Sequence, residues 1–188
     1  MRLHGNQDMR KALLFLGILN DSDVDRMAAA GMKQNVPAGT VLIREGKPIE
    51  AIFIVLNGCF IVSTASLAGK QIARLKSGEI LGEMSFVDSR PPSASVTAAE
   101  NSVVLNIPRD RLAAQLETDV DFACRFYKAI AVFLSDRLRN TVGLLGYSQS
   151  RPLDEERVYS DELDSDTLDN LELAGARFDL LQKKLRTL

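Results

Sequence analysis

The stretch "GEILGEMSFVDSRPPSASVTA", Gly78 to Ala98, lies in the middle of the chain and decides how the rest is read. A glycine and a carboxylate, Gly82 and Glu83, stand just ahead of small and hydroxyl residues. A phosphate-cradling loop needs that order, because close backbone approach comes first and amide and hydroxyl donors follow. Where such a loop wants a positive charge there is a second proline, Pro92. Either the loop holds a phosphorylated ligand, or it keeps only the shape of one that did.

Outward from this stretch, a chain of 188 residues has room for one domain of ordinary size and an appendage. Its hydrophobic content of 46% is that of a soluble globular protein, and a net charge of −2 gives no global attraction to nucleic acid or anionic lipid. No apolar run reaches the ~18 residues of a membrane span. The first residues, "MRLHGNQDMRKALLFLGIL", lead into "NDSDVDRM" and not into small residues suited to cleavage, so no signal peptide is expected. Cys59 and Cys124 both sit inside apolar patterns and read as buried free thiols of a reducing, cytoplasmic protein. With His4 as the one histidine, an exposed terminal residue, no metal site is expected.

Residues 8–32 read as two short helices, "DMRKALLFL" and "NDSDVDRMAAAGM", the second opening on cap residues. From Val36 to Pro108 the period changes. "GTVLIREG", "EAIFIVLNG", "CFIVSTA", "KQIARLKSG", "SASVTAAE" and "SVVLNIP" are short β-rich runs parted by Gly, Pro, Ser or Asn, the pattern of an all-β sandwich or barrel. Helical pattern resumes at "RDRLAAQLETD" and runs on through "DFACRFYKAIAVFLSDRLRNTVGLL". There Phe122, Phe126, Ile130, Phe133, Leu134, Leu138, Val142 and Leu145 form one stripe, predicted to be core. Residues 148–165 are acidic and read as a solvated linker. Residues 166–188 follow as an amphipathic helix with the stripe Leu168, Leu171, Ala174, Phe178, Leu181 and Leu185, which needs a surface to pack on. No serine, cysteine or carboxylate pair sits in a catalytic constellation, so the chain is not read as an enzyme and no cofactor is expected.

The ordered set "PAGTVLIREG", "IFIVLNG", "ARLKSGEILGEMSFVDSRPPSASV" and "VLNIPRDRL", then a long helix, resembles the cyclic-nucleotide-binding domain. That domain is shared by the catabolite activator protein, kinase regulatory subunits and nucleotide-gated channels. The resemblance covers about residues 10–145 and implies a mainly β fold, an eight-stranded jelly roll with flanking helices over 1–147. It implies a phosphate-binding cassette in which Gly82 admits close backbone approach and Glu83 accepts the ribose 2′-hydroxyl. The amides of Met84 and Ser85 would face the phosphate, and Ser93, Ala94 and Ser95 would close the other side. Ser95 would also reach a guanine amino group. Nucleotide-responsive members usually carry an arginine where Pro92 stands here. Losing such a charge-assisted bond costs about 1.5–3 kcal/mol, roughly 10–150-fold in affinity. Arg90, two residues upstream, is the nearest cation in sequence.

The resemblance implies a regulatory module that binds cAMP or cGMP weakly and signals through its C-terminal helices, as a homodimer or on a protein partner. Direct DNA binding is not expected, because only about forty acidic residues with one helix follow the long helix. Two alternatives stand beside this. In one, the fold persists without nucleotide as an interaction or dimerisation module. In the other, the jelly roll takes a different second messenger, such as a cyclic dinucleotide, with Arg90 as a contact.

Overall fold

The computed structural model describes residues 15–147 and 165–185. His4 and most of the acidic segment lie outside them. Eight strands are β1 (Met32–Val36), β2 (Val41–Ile43), β3 (Ala51–Asn57), β4 (Cys59–Ser63), β5 (Gln71–Lys76), β6 (Ile80–Leu81), β7 (Ser95–Ala98) and β8 (Ser102–Pro108). They form two four-stranded antiparallel sheets, ordered β1-β8-β3-β6 and β2-β7-β4-β5. Besides the helical residues 15–18, the α-helices among the described residues are α1 (Asp21–Ala30), α2 (Glu83–Asp88), α3 (Arg109–Thr118), α4 (Val120–Tyr147) and α5 (Ser165–Lys184). This is the expected jelly roll with flanking helices.

β3 shows why the strand pattern is so apolar. Its alternate residues Phe53 and Val55 face a core between the two sheets, with Val36, Phe60, Leu75, Val96 and Val104. Ile52, Ile54 and Leu56 face a second core shared with the helices. A strand buried on both faces loses its polar alternation and reads as one continuous run. β1 and β6 escape the sequence pattern for opposite reasons. β1, "MKQNV", is an edge strand paired only with β8, and of its residues Val36 alone is buried. β6 has two residues, too few to show a period, yet it pairs with Phe53 and Ile54 and delivers the chain to Gly82.

The helical core joins Phe15, Leu16, Leu19, Val24 and Met27 to Leu112, Leu116, Phe122, Phe126, Ile130 and Phe133. The stripe of α4 is therefore core only as far as Leu134, which packs against this cluster. Leu138 is 64% and Val142 57% exposed, which corrects the expectation of a stripe buried throughout. The helix outruns the body it packs on. The cysteines also divide: Cys59 is buried, whereas Cys124 is exposed, because it lies on the face of α4 away from Phe122 and Phe126.

The terminal helix finds its surface on its own chain. Ala174, Leu181 and Leu185 are buried and Phe178 packs on the helical core. The register of β3 against β8 slips between Val55 and Asn57, leaving Leu56 outside the ladder. Its carbonyl accepts Gln182 Nε2 of α5 at 2.8 Å, so a distant helix satisfies a polar group the irregularity frees. Truncating Leu181 to Ala should cost about 2–5 kcal/mol of folding free energy, since it empties a fully enclosed site. Urea unfolding of the whole chain measures this, and a midpoint equal to the parent's would place α5 outside the core.

Candidate functional site

The cassette begins where β6 ends. Gly82 has φ 83°, the left-handed region, and is the residue that opens α2. A Cβ on it would stand 2.7 Å from Ile49 Cδ1 and 3.1 Å from the Ala51 carbonyl oxygen. The glycine is thus required by its dihedral, and a Cβ would also crowd the Ala51 carbonyl at the start of β3. Phe86 is the first amide to close a bond onto this turn, 3.1 Å to the Gly82 carbonyl. The Met84 and Ser85 amides belong to the first turn, which has no intrahelical acceptors. Ser85 is buried and Met84 is half exposed.

Glu83 is 3% exposed, and its Oε1 accepts Arg137 Nη1 of α4 at 2.7 Å. Arg137 also lies 3.6 Å from Glu79 Oε2 and stacks over the Phe133 ring at 4.5 Å. Burial pushes the Glu83 carboxyl above its ordinary range, while Arg137 and Glu83's own backbone amide pull it back. The other end of α2 is held by Arg109, at the start of α3. Its guanidinium donates to the Ser85 carbonyl at 2.7 Å, the Phe86 carbonyl at 3.3 Å and Ser89 Oγ at 2.8 Å. It also lies over the Phe86 ring. Cations suit a helix C-terminus, where carbonyls lack partners. Two arginines, one from each following helix, therefore grip the two ends of the cassette helix.

The far side of the cassette is organised by Glu45 of the "REG" turn. Its amide donates to Ser95 Oγ at 3.1 Å and the neighbouring Gly46 amide to the Pro92 carbonyl at 2.8 Å. The Glu45 carboxylate accepts Thr64 Oγ1 at 3.2 Å and the Ala65 amide at 2.8 Å. Ser95 accepts in this arrangement, so its own proton stays available for donation. Ser93 is exposed, while Ala94, Ser95 and Pro92 are half-buried. Arg90 is largely in solvent: its side chain is 84% exposed, with Nε 3.9 Å from Asp88 Oδ2. An open cavity of about 310 Å³ lies beside Ile49, Glu50, Ser85, Ser89, Arg90 and Arg109. Of the residues the sequence singled out, only Ser85 and Arg90 line it, and Glu83, Ser93 and Ser95 do not.

Residues 33–119 match the family model of the cyclic nucleotide-binding domain. The chain contains a domain of this family. Domains of this family are generally regulatory modules. The chain is 31% identical over 130 residues to an uncharacterized NTE family protein of Mycobacterium tuberculosis, covering 68% of this chain and 22% of that protein. It is 30% identical over 100 residues to a cAMP-dependent protein kinase regulatory subunit of Yarrowia lipolytica, covering 53% of this chain and 26% of the relative. The chain thus spans about a quarter of the length of these curated relatives. A solved cyclic nucleotide-binding domain from Methylobacillus flagellatus shares the fold, with a TM-score of 0.65 at 20% identity over 78% of this chain and 88% of that one. No helix among the described residues is long and apolar enough to cross a membrane.

Sequence reasoning missed Arg137, Arg109 and Glu45. Arg137 carried a signal, a charge four residues after Phe133 inside the apolar stripe, and such a position is tolerated only with a partner. Arg109 and Glu45 carried none, because their partners are backbone groups and common hydroxyls brought close by the fold.

A carboxyl raised in the folded state binds its proton more tightly there than in the unfolded chain. The stability it contributes is full below the ordinary carboxylate range and is lost as pH rises through the raised folded value. Urea midpoints of parent and Glu83→Gln, compared from about pH 4 to about pH 8, should show the parent's relative stability falling with pH. A relative stability that grows with pH would mean that the pull of Arg137 outweighs burial.

Proposed function

We propose that the domain binds a cyclic nucleotide, cAMP or cGMP, weakly at the cassette, and that occupancy is passed to α4 through Glu83 and Arg137. The observation that carries this reading is the buried Glu83–Arg137 pair, which joins the carboxylate expected to meet the ribose directly to the long helix. A ribose hydroxyl offered to Glu83 enters a bond already shared with Arg137, so binding and helix position share one free energy. The loop around Pro92 needs no cation at that position to hold its shape, since the Gly46 amide fixes the Pro92 carbonyl and the Glu45 amide fixes Ser95. What it lacks is charge for the phosphate, and Arg90 is turned out to solvent. The chain acts as a regulatory module and not as an enzyme.

Restoring the charge tests the reading. Pro92→Arg keeps the carbonyl that Gly46 uses, and it should tighten cAMP or cGMP by about tenfold or more by adding a charge-assisted bond. Adding Glu83→Ala to that variant should reverse the gain. Calorimetry on parent, single and double variants, with melting curves to check folding, decides it. A folded Pro92→Arg that binds nothing at millimolar nucleotide would leave the domain as an interaction module.

The exposed end of α4 supports a second element of the reading, self-association. Leu138 and Val142 continue the buried stripe past the body, and an apolar face of that kind is stable in water when a second copy covers it. Sedimentation of the full chain should give a dimer, and Leu138→Asp should shift it toward monomer while leaving the melting curve of the jelly roll in place. A parent that stays monomeric at high concentration would remove this element.

A further inference from the structure

The short helix α1 carries three aspartates at alternate positions, and each meets a cation from a later helix. Asp23 is fully buried, and its two oxygens take Arg125 of α4 in a fork, at 2.6 Å from Nε and 2.9 Å from Nη2. Asp21 pairs with Arg177 of α5 at 3.0 Å, and Asp25 pairs with Lys184 of α5. Residues four apart share one helix face and the residue midway between them points the opposite way. α1 is therefore gripped on one side by α4 and on the other by α5.

The bar is stiff and well anchored. Asn20 and Asp23 form a reciprocal capping box, 2.8 and 2.9 Å, so the carboxylate that receives Arg125 also fixes the start of α1. Arg177 does more than pair with Asp21. Its Nη1 donates to the carbonyls of Leu16 at 3.2 Å and Gly17 at 2.8 Å, at the end of the helical residues 15–18. Val24 and Met27 of α1 lie in the same apolar core as Phe122 and Phe126 of α4 and Leu181 and Leu185 of α5. A displacement of α4 must therefore carry α1 with it or strip the Asp23 fork in a buried place.

We propose that α1 is a coupling bar that makes the docking of α5 depend on the position of α4, so that α5 is the output arm of the module. This rests on the function proposed above only for what moves α4. The coupling is a property of the contacts that α1 and its flanks make with α4 and α5, and it is tested without nucleotide.

The experiment is hydrogen exchange of the full chain, read over residues 165–184, with β3 and β8 as the internal reference. Arg125→Ala removes no hydrogen bond or ion pair of α5, yet it should raise exchange in α5 by about tenfold or more while the two central strands stay protected. Arg125→Lys, which keeps the charge and loses the fork, should fall between parent and Ala. Reciprocity requires that Arg177→Ala raise exchange in the first turns of α4. Should Arg125→Ala prove too unstable to study, the Lys variant and the reciprocal measurement carry the test alone. Unchanged α5 exchange in these variants, or a rise shared equally by the reference strands, would overturn the proposal.

Discussion

A carboxylate taken out of water must be paired, and Glu83 is paired across the molecule with Arg137. Breaking a fully buried pair costs about 3–5 kcal/mol, and somewhat less here, because a third of the Arg137 side chain still meets solvent. That constraint fixes where α4 can lie. With Phe133 one turn earlier, held in the core and stacked under the guanidinium, the helix cannot slide without moving the charge. The cassette and the long helix therefore share a single set of coordinates, and Arg109 extends the same hold to the start of α3. Any ligand that competes for Glu83 acts on α4 before it acts on anything else.

The β-rich body was legible because its short strands are parted by Gly, Pro and Ser, and the resemblance to the family made it a jelly roll. The central strands announced themselves by apolar runs, since both of their faces are buried. Edge position hid β1 and brevity hid β6. The cassette was legible through the resemblance that "GEMS" helps to carry, but what holds the ends of its helix was not. Arg109 reaches backbone carbonyls, and Glu45 reaches an amide and a hydroxyl, partners that every residue or many residues supply. Bonds of that kind leave no pattern in a single sequence. Leu138 and Val142 show the reverse case, a periodic signal that continues after the surface it would pack on has ended. Periodicity reports which face a helix turns inward and says nothing of where the neighbouring core stops.

The proline at the centre of the cassette is easier to understand with the bonds in view. The loop geometry is set by its carbonyl, which takes the Gly46 amide, and by Ser95, which takes the Glu45 amide. Neither bond uses a side chain at position 92. Proline also limits the unfolded chain, which stabilises a loop whose dihedrals it fits. Shape and charge are thus separable here: the first is secured by the Glu45 and Gly46 amides, and the second is an attribute of the side chain at position 92.

Separation of that kind recurs on the far side of the molecule. The cassette meets α4 at Arg137, and α4 meets α1 at Arg125, about 18 Å away along the helix axis. Both junctions are arginine–carboxylate pairs in which the acid is buried, while the pairs of α1 with α5 involve exposed aspartates, Asp21 and Asp25. Exposed pairs are weak, typically about 0–1 kcal/mol, and salt screens them. The order of strengths has a consequence. A load applied at the cassette is transmitted through the buried pairs and yields where the pairs are exposed. What keeps α5 in place at that junction is its apolar stripe and the Arg177 bonds to Leu16 and Gly17, so the helix leaves as a unit or stays.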